Sequence, residues 1–397
     1  MSRARELAGL LLPYTPILVA RVGSGASAFL VVKLASGGHL EAGAVAAAYP
    51  FLEAAGAFIA GRWSDLLGRK RTLVAGYAAR SVAMLLLSLA FFARHGPWLE
   101  AVLNGIIGFT TAFIVTASLT MVTDLTNVRN RGIGMGGFEL VNLVSYGAGY
   151  LLGCALYDAL RGPAAYLAVA LATALSIPLF AALLPETAPA AARGGRFLYA
   201  VLPHSALALM PIWFALTAII GLAIFAPRAM VAVPKLGSSI QIGALYAAAL
   251  AALGLGAVFF GRLADAWGRL RVFRLGLVSG LLAISALNVL LRLGFDIALA
   301  IIALSPLLFL TSAIGPSILA LVGDEADIKY RGTTMGIYSV MLGLGIGTGS
   351  IIGGVVASLS GERAIAGIAC AALLVYASMF ALHVTLVARW RGRALQY

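Results

Sequence analysis

The chain is a succession of long apolar runs separated by short polar connectors. A helix that crosses a bilayer needs about 20 mostly apolar residues. Runs of that kind occur about twelve times. They cover roughly 11–33, 41–61, 72–93, 98–122, 132–154 and 164–184, then 204–230, 240–261, 272–293, 298–322, 332–356 and 363–388. One connector is longer than the rest and rich in Pro, Gly and Arg, from Pro185 to Arg196. It divides a predicted six-helix bundle at 1–184 from a second at 204–397, with 185–203 as the linker. The expected fold class is an all-α membrane protein of two pseudo-symmetric six-helix bundles.

The halves also repeat in detail. Gly61, Arg62, Asp65, Gly68, Arg69 and Arg71 return 200 positions later as Gly261, Arg262, Asp265, Gly268, Arg269 and Arg271. Asp124, Arg131, Gly132, Met135 and Gly136 return in the same register as Asp324, Arg331, Gly332, Met335 and Gly336. A period this long is not a solenoid repeat. Two long hydrophobic halves are the mark of many secondary transporters, which hold their solute between the halves.

Composition agrees with a membrane protein. Of 397 residues, 61% are hydrophobic and 11% charged, against about 25% charged in soluble domains. Mean hydropathy is +1.00. The net charge of +13 sits in connectors rather than on one amphipathic face, which argues against a nucleic-acid partner. Cys154 and Cys370 form no disulfide framework and no metal-ligand spacing. No cofactor motif and no Ser/His/Asp or His/Glu arrangement at one depth points to an intramembrane enzyme. The first run follows Arg3 and Arg5 as a signal peptide would, but it is longer than a signal core and is read as the first span.

Lys and Arg set the orientation. With the N-terminus inside, the inner connectors carry roughly three times as many basic residues as the outer ones. Both termini and the repeated Gly-Arg-Asp loops are therefore expected in the cytoplasm, with the chain in the plasma membrane. In those loops Gly61 and Gly68 allow close approach and a sharp turn. Asp65 can accept hydrogen bonds from Arg69 or from the exposed N–H groups of a neighbouring helix start.

These residues resemble the cytoplasmic signature of the major facilitator superfamily, found between its second and third helices and again between its eighth and ninth. The segments Asp124–Gly136 and Asp324–Gly336 resemble its second recurrent pattern, and Leu184–Thr187 resembles the end of its sixth helix. The resemblance covers essentially the whole chain. It implies alternating access, with monomer as the default state. It also implies gating contacts in which Asp65 caps the start of the eleventh helix and Asp265 caps the fifth. Gly61, Gly68, Arg69, Asp124, Arg131, Gly261, Gly268, Arg269, Asp324 and Arg331 belong to the same gating set. Two marks of proton-driven drug exporters are missing: the fourth run has no early Arg, and Tyr150 stands where a proline is usual.

Four ionisable residues fall inside first-half runs: Arg21, Glu53, Arg80 and Glu139. Each lies about 10–15 Å from the cytoplasmic end of its helix. Their repeat positions are Gly221, Leu253, Gly280 and Ser339, so the fold itself does not require the charges. Two bases and two acids at one depth suggest a mutual ion-pair network, with Arg80 its most structural member. The functional reading is a proton and substrate site, because charge inside a membrane is costly. Glu139 is the first choice of proton carrier and Glu53 the second. Arg228, after Pro227 in the seventh run, either reaches the headgroups or joins Arg21 in a central cavity, where two arginines suit an anion. Asn104, Asn142, Tyr146, Gln241, Tyr246, Asn288 and Tyr338 could line that cavity. The expected activity is proton-coupled movement of a small organic solute. Export of a drug-like or metabolite molecule is favoured. The alternatives are uptake or exchange of an organic anion through Arg21 and Arg228, and a receptor of the same fold that no longer transports.

Overall fold

Inside a bilayer no water is at hand to take up backbone N–H and C=O groups, so a spanning chain must close its own hydrogen bonds. The computed structural model, which describes residues 12–188, 204–231, 239–325, 331–360 and 363–394, meets that demand with helices alone. A single 3-10 turn, Leu12–Tyr14, precedes α1 (Thr15–Leu34), α2 (His39–Leu67), α3 (Arg69–Ala93), α4 (Pro97–Leu125), α5 (Arg131–Leu160) and α6 (Pro163–Leu183). The second half holds α7 (His204–Val231), α8 (Ser239–Trp267), α9 (Arg269–Arg292), α10 (Ile297–Thr311), α11 (Ile314–Glu325), α12 (Arg331–Ser360) and α13 (Ala364–Ala394). Among the described residues, eleven helical stretches are long and apolar enough to cross a membrane, and a shorter one, Ala208–Ala223, lies within α7. Most of the expected linker, 185–203, lies outside the described residues.

The tenth span differs from the sequence expectation of one continuous helix over 298–322. It is broken at Ser312–Ala313, between α10 and α11. Pro316 gives the physical reason: its ring cannot share space with the carbonyl four residues earlier, that of Ser312, and it has no N–H to donate there. The Ser312 hydroxyl turns back to the Phe309 carbonyl at 2.6 Å instead.

The repeated glycines act at two different places. Gly68 (φ 100°) and Gly268 (φ 96°) make the turns between α2 and α3 and between α8 and α9 in the left-handed region that favours glycine. Gly149 and Gly349 instead bring helices together. A Cβ at Gly149 would collide with the Val22 carbonyl of α1, and one at Gly349 with the Ala218 carbonyl of α7. Small residues at such crossings are how membrane helices gain van der Waals contact without a hydrophobic driving force.

Across the halves, α5 runs along α8 and α2 along α12. Gly136 meets Ala257 and Gly147 meets Ala247 on the first seam, while Gly343 meets Pro50 on the second. The outer surfaces carry exposed apolar side chains such as Leu89, Leu175 and Leu359, which face acyl chains in a bilayer.

Candidate functional site

The four first-half charges are all buried, but they do not form the closed network that equal depth along their helices suggests. Arg21 on α1 pairs with Glu53 on α2, Nη2 to Oε1 at 3.3 Å. Its Nε donates to Asn142 Oδ1 on α5 at 2.6 Å. Arg80, on α3, makes no ion pair among the described residues. Its Nη2 donates to the Ser24 hydroxyl at 3.1 Å, and Nε and Nη1 have no hydrogen-bond partner. Glu139 makes no ion pair with the others among the described residues: its Oε1 accepts from the Tyr338 hydroxyl on α12 at 2.6 Å. Depth along a helix follows from residue count, whereas the direction a side chain takes around the axis depends on its neighbours. That is why matched depth did not become mutual pairing.

Two cavities flank this layer. One, of about 50 Å³, is lined by Arg21, Ser24, Tyr49, Glu53, Asn104 and Tyr146, with Ile346 and Ser350 from α12. The second, of about 150 Å³, has Glu139 in its wall and is otherwise mainly apolar, with Trp213, Leu216, Ile219, Leu253 and Ile284. The break in the tenth span borders it through Thr311, Ser312, Gly315 and Pro316. Asn142 lies one turn from Glu139 on the same face of α5, so a single turn joins the residue that holds Arg21 to the one that holds Tyr338. Asn104 lines the first cavity and donates to the Val45 carbonyl at 2.8 Å. Asn288 is spent on the carbonyls of Ile284 and Ala369, and Gln241 is exposed. Ser24, Tyr49 and Trp213 belong to the site but carry no signal in the sequence, since hydroxyls and aromatics are common in apolar helices. The side chains of Arg228 and Arg331 lie outside the described residues.

The Arg-rich ends of the helices carry a second cluster. Asp265 accepts from the backbone N–H groups of Gly132 and Ile133, both at 2.9 Å, at the start of α5. It also pairs with Arg269. Arg131 crosses to the other half, donating to Asp324 Oδ1 and to the Gly323 carbonyl, both at 2.8 Å. Arg269 holds Asp324 at 3.2 Å and the Val128 carbonyl at 3.1 Å. In the first half Arg69 pairs with Asp65 at 3.0 Å and Asp124 at 3.1 Å. The start of α12 that Asp65 was expected to cap has its side chains outside the described residues. Gly61 and Gly261 lie within α2 and α8, where α12 and α5 come close, rather than in the turns. Glu186 is an addition the sequence reading missed: its Oε1 accepts from the Arg69 N–H at 2.8 Å at the start of α3.

At this face the two halves are in contact through charge and capping. Asp265→Asn removes the anion from the α5 N-terminus, an interaction of about 1 kcal/mol. The expected outcome is a shift of the conformational balance toward the arrangement in which these helix ends are apart. Distance measurements between labels on α5 and α8 read the shift. An unchanged distribution in the variant would make Asp265 a turn-forming residue only.

The sequence profile of the Major Facilitator Superfamily matches residues 17–234 and 205–395. Among solved structures, the human organic anion transporter MFSD10 (TETRAN) superposes with a TM-score of 0.72 at 16% identity, covering 96% of this chain and 100% of that one. The proton:xylose symporter XylE, bound to 6-bromo-6-deoxy-D-glucose, gives 0.69 at 14% identity over 97% of this chain and 93% of that one. At these identities the likeness speaks to the fold alone. No curated protein matches the chain.

Proposed function

This chain belongs to the major facilitator superfamily, and from that premise we propose a proton-coupled carrier in which Glu139 takes and releases the proton. It is an integral membrane protein and a secondary transporter of a solute rather than an enzyme. The observation that carries the proposal is the hydrogen bond from Tyr338 on α12 to Glu139 on α5. It joins the two halves at the level of the cavities, so any separation of the halves there changes what faces the carboxyl group. A carboxyl whose surroundings alternate between a buried hydroxyl and water takes up a proton in one state and gives it up in the other.

The bundles are taken as 1–184 and 204–397, rocking about the linker 185–203 as a monomer. The excess of basic connectors supports an orientation with the Arg-rich face and both termini in the cytoplasm, and the plasma membrane is the membrane proposed. The solute is small and organic. The apolar cavity beside Glu139 supports export of a drug-like or metabolite molecule, because apolar solutes enter cells through lipid unaided and need a carrier chiefly to leave. The polar cavity supports a second reading, uptake or exchange of an organic anion, since Arg21 forms part of its wall.

Purified protein in liposomes with an imposed proton gradient tests both. The expected result is solute accumulation that a protonophore abolishes. Flow of solute against the proton flow identifies the exporter, and flow with it identifies anion co-transport. Equilibration without accumulation would contradict proton coupling.

A further inference from the structure

Arg80 is the one buried guanidinium of the charged layer without an ion-pair partner among the described residues, and its place is built. It is fully buried, and Gly23 leaves it room: a Cβ there would press on Nη2 at 3.2 Å and on the Thr173 hydroxyl at 3.3 Å. Ser24, which accepts from Nη2, donates to the Ala20 carbonyl at 2.9 Å and meets the Tyr49 hydroxyl at 3.0 Å. With the Ser24 proton directed to Ala20, Tyr49 is the donor in that contact. Ser24 and Tyr49 both line the polar cavity. Arg80 thus stands directly behind the cavity wall, with two donor nitrogens, Nε and Nη1, unmatched.

The charge balance of the layer then depends on one proton. Among the described residues it holds two cations, Arg21 and Arg80, and two acids, Glu53 and Glu139. Glu53 is committed to Arg21. With Glu139 ionised the layer is neutral. With Glu139 protonated one positive charge is left over, and an uncompensated charge at this depth is unfavourable. Among the described residues, the groups that face Glu139 and can titrate are Tyr338 on α12 and Arg21 on α1, with Glu53 and Arg80 beyond them. The other elements around it present Trp213, Leu253 and Gly315, which do not titrate.

We propose that Arg80 makes the polar cavity a site for a small organic monoanion, and that the anion binds together with the proton on Glu139. The anionic head sits beside Arg21 and accepts from Tyr49, whose hydroxyl turns from Ser24 to the ligand, while the charge of Arg80 acts on it from directly behind Ser24. Arg80 is a specificity-determining residue that acts from behind the wall. A neutral solute leaves the excess charge uncompensated, and a cation adds to it. Linkage is reciprocal: if the proton favours the anion, the anion favours the proton to the same degree. One anion and one proton then cross with no net charge. This rests on the proton-carrier reading of Glu139 and selects the organic-anion reading of the solute.

The test uses the full chain in detergent, with benzoate and hexanoate as probes beside the uncharged benzamide and hexanamide. Binding is read as thermal stabilisation, which grows with ligand concentration over Kd, at acid and at neutral pH. The acids are expected to stabilise the wild type, more strongly at acid pH, and the amides to do so weakly or not at all. Arg80→Gln should weaken acid binding by roughly tenfold or more, the loss of a nearby positive charge in a dry site, while Arg80→Lys restores most of it. Glu139→Gln should keep acid binding and remove its pH dependence. If amides bind as well as acids, or no acid stabilises the wild type, the inference is overturned; this comparison needs no variant to fold. Amide binding with a pH response that Glu139→Gln removes would sink the anion inference alone. Acid binding that depends on Arg80 but keeps its pH response in Glu139→Gln would sink the proton-carrier reading beneath it.

Discussion

Glu139→Gln is expected to abolish accumulation of solute against a gradient while leaving downhill exchange intact. The amide fits the same space and can still accept from the Tyr338 hydroxyl, so the contact of 2.6 Å between α5 and α12 is retained in a form that does not titrate. The seams between the halves are built from backbone and small residues, such as Gly136 on Ala257 and Gly343 on Pro50, so the rocking motion does not need the carboxylate. Only the link between proton and solute is lost. Counterflow in liposomes reads exchange, and uptake under an imposed proton gradient reads accumulation. A variant that still accumulates solute and merely melts earlier would make Glu139 structural and leave the proton carrier to be found elsewhere.

Glu53→Gln is expected to act on stability first. Glu53 and Arg21 are almost wholly buried, at 1% and 4% exposure, and lie 3.3 Å apart. Removing the acid leaves the guanidinium with the Asn142 oxygen as its partner. Breaking a buried pair from one side costs about 3–5 kcal/mol, because the remaining charge stays out of water. The double change Arg21→Gln with Glu53→Gln should recover part of that loss, since it removes both charges. Thermal unfolding of the three proteins measures the coupling. Equal melting of Glu53→Gln and wild type would show that the pair does not hold the bundle.

The two carboxylates illustrate what a sequence reveals in a membrane protein. Rarity made them conspicuous, because an acid within an apolar run stands out at once. The repeat then showed that neither is required by the fold, as Leu253 and Ser339 occupy the equivalent places. Their partners were less legible. Arg21 and Glu53 belong to adjacent helices and do pair. Depth alone places Glu139 and Arg80 in the same network, yet one faces Tyr338 across the seam and the other faces Ser24. Helical rise fixes depth, but rotation about the axis is set by packing against neighbours that are far away in sequence.

The turns were the most readable feature. Gly68 and Gly268 recur in register, and each adopts a backbone conformation that other residues resist. The roles of Gly61 and Gly261 were only half legible, since a glycine that serves a turn and one that serves a helix crossing look alike in sequence. The break between α10 and α11 had a signal in Pro316, which the unbroken hydropathy of the tenth run concealed. Glu186 escaped notice because its contact is to a backbone N–H, which leaves no complementary side chain to find.

Proton exchange on solute binding tests the central role of Glu139 most directly. Purified protein in a weakly buffered detergent solution is mixed with benzoate, or with any solute found to bind, and the pH of the solution is followed. Wild-type protein is expected to take up a proton as the anion binds, turning the solution alkaline, and Glu139→Gln is expected to bind with no such change. A flat trace from wild type under saturating ligand, or an undiminished response from Glu139→Gln, would contradict it.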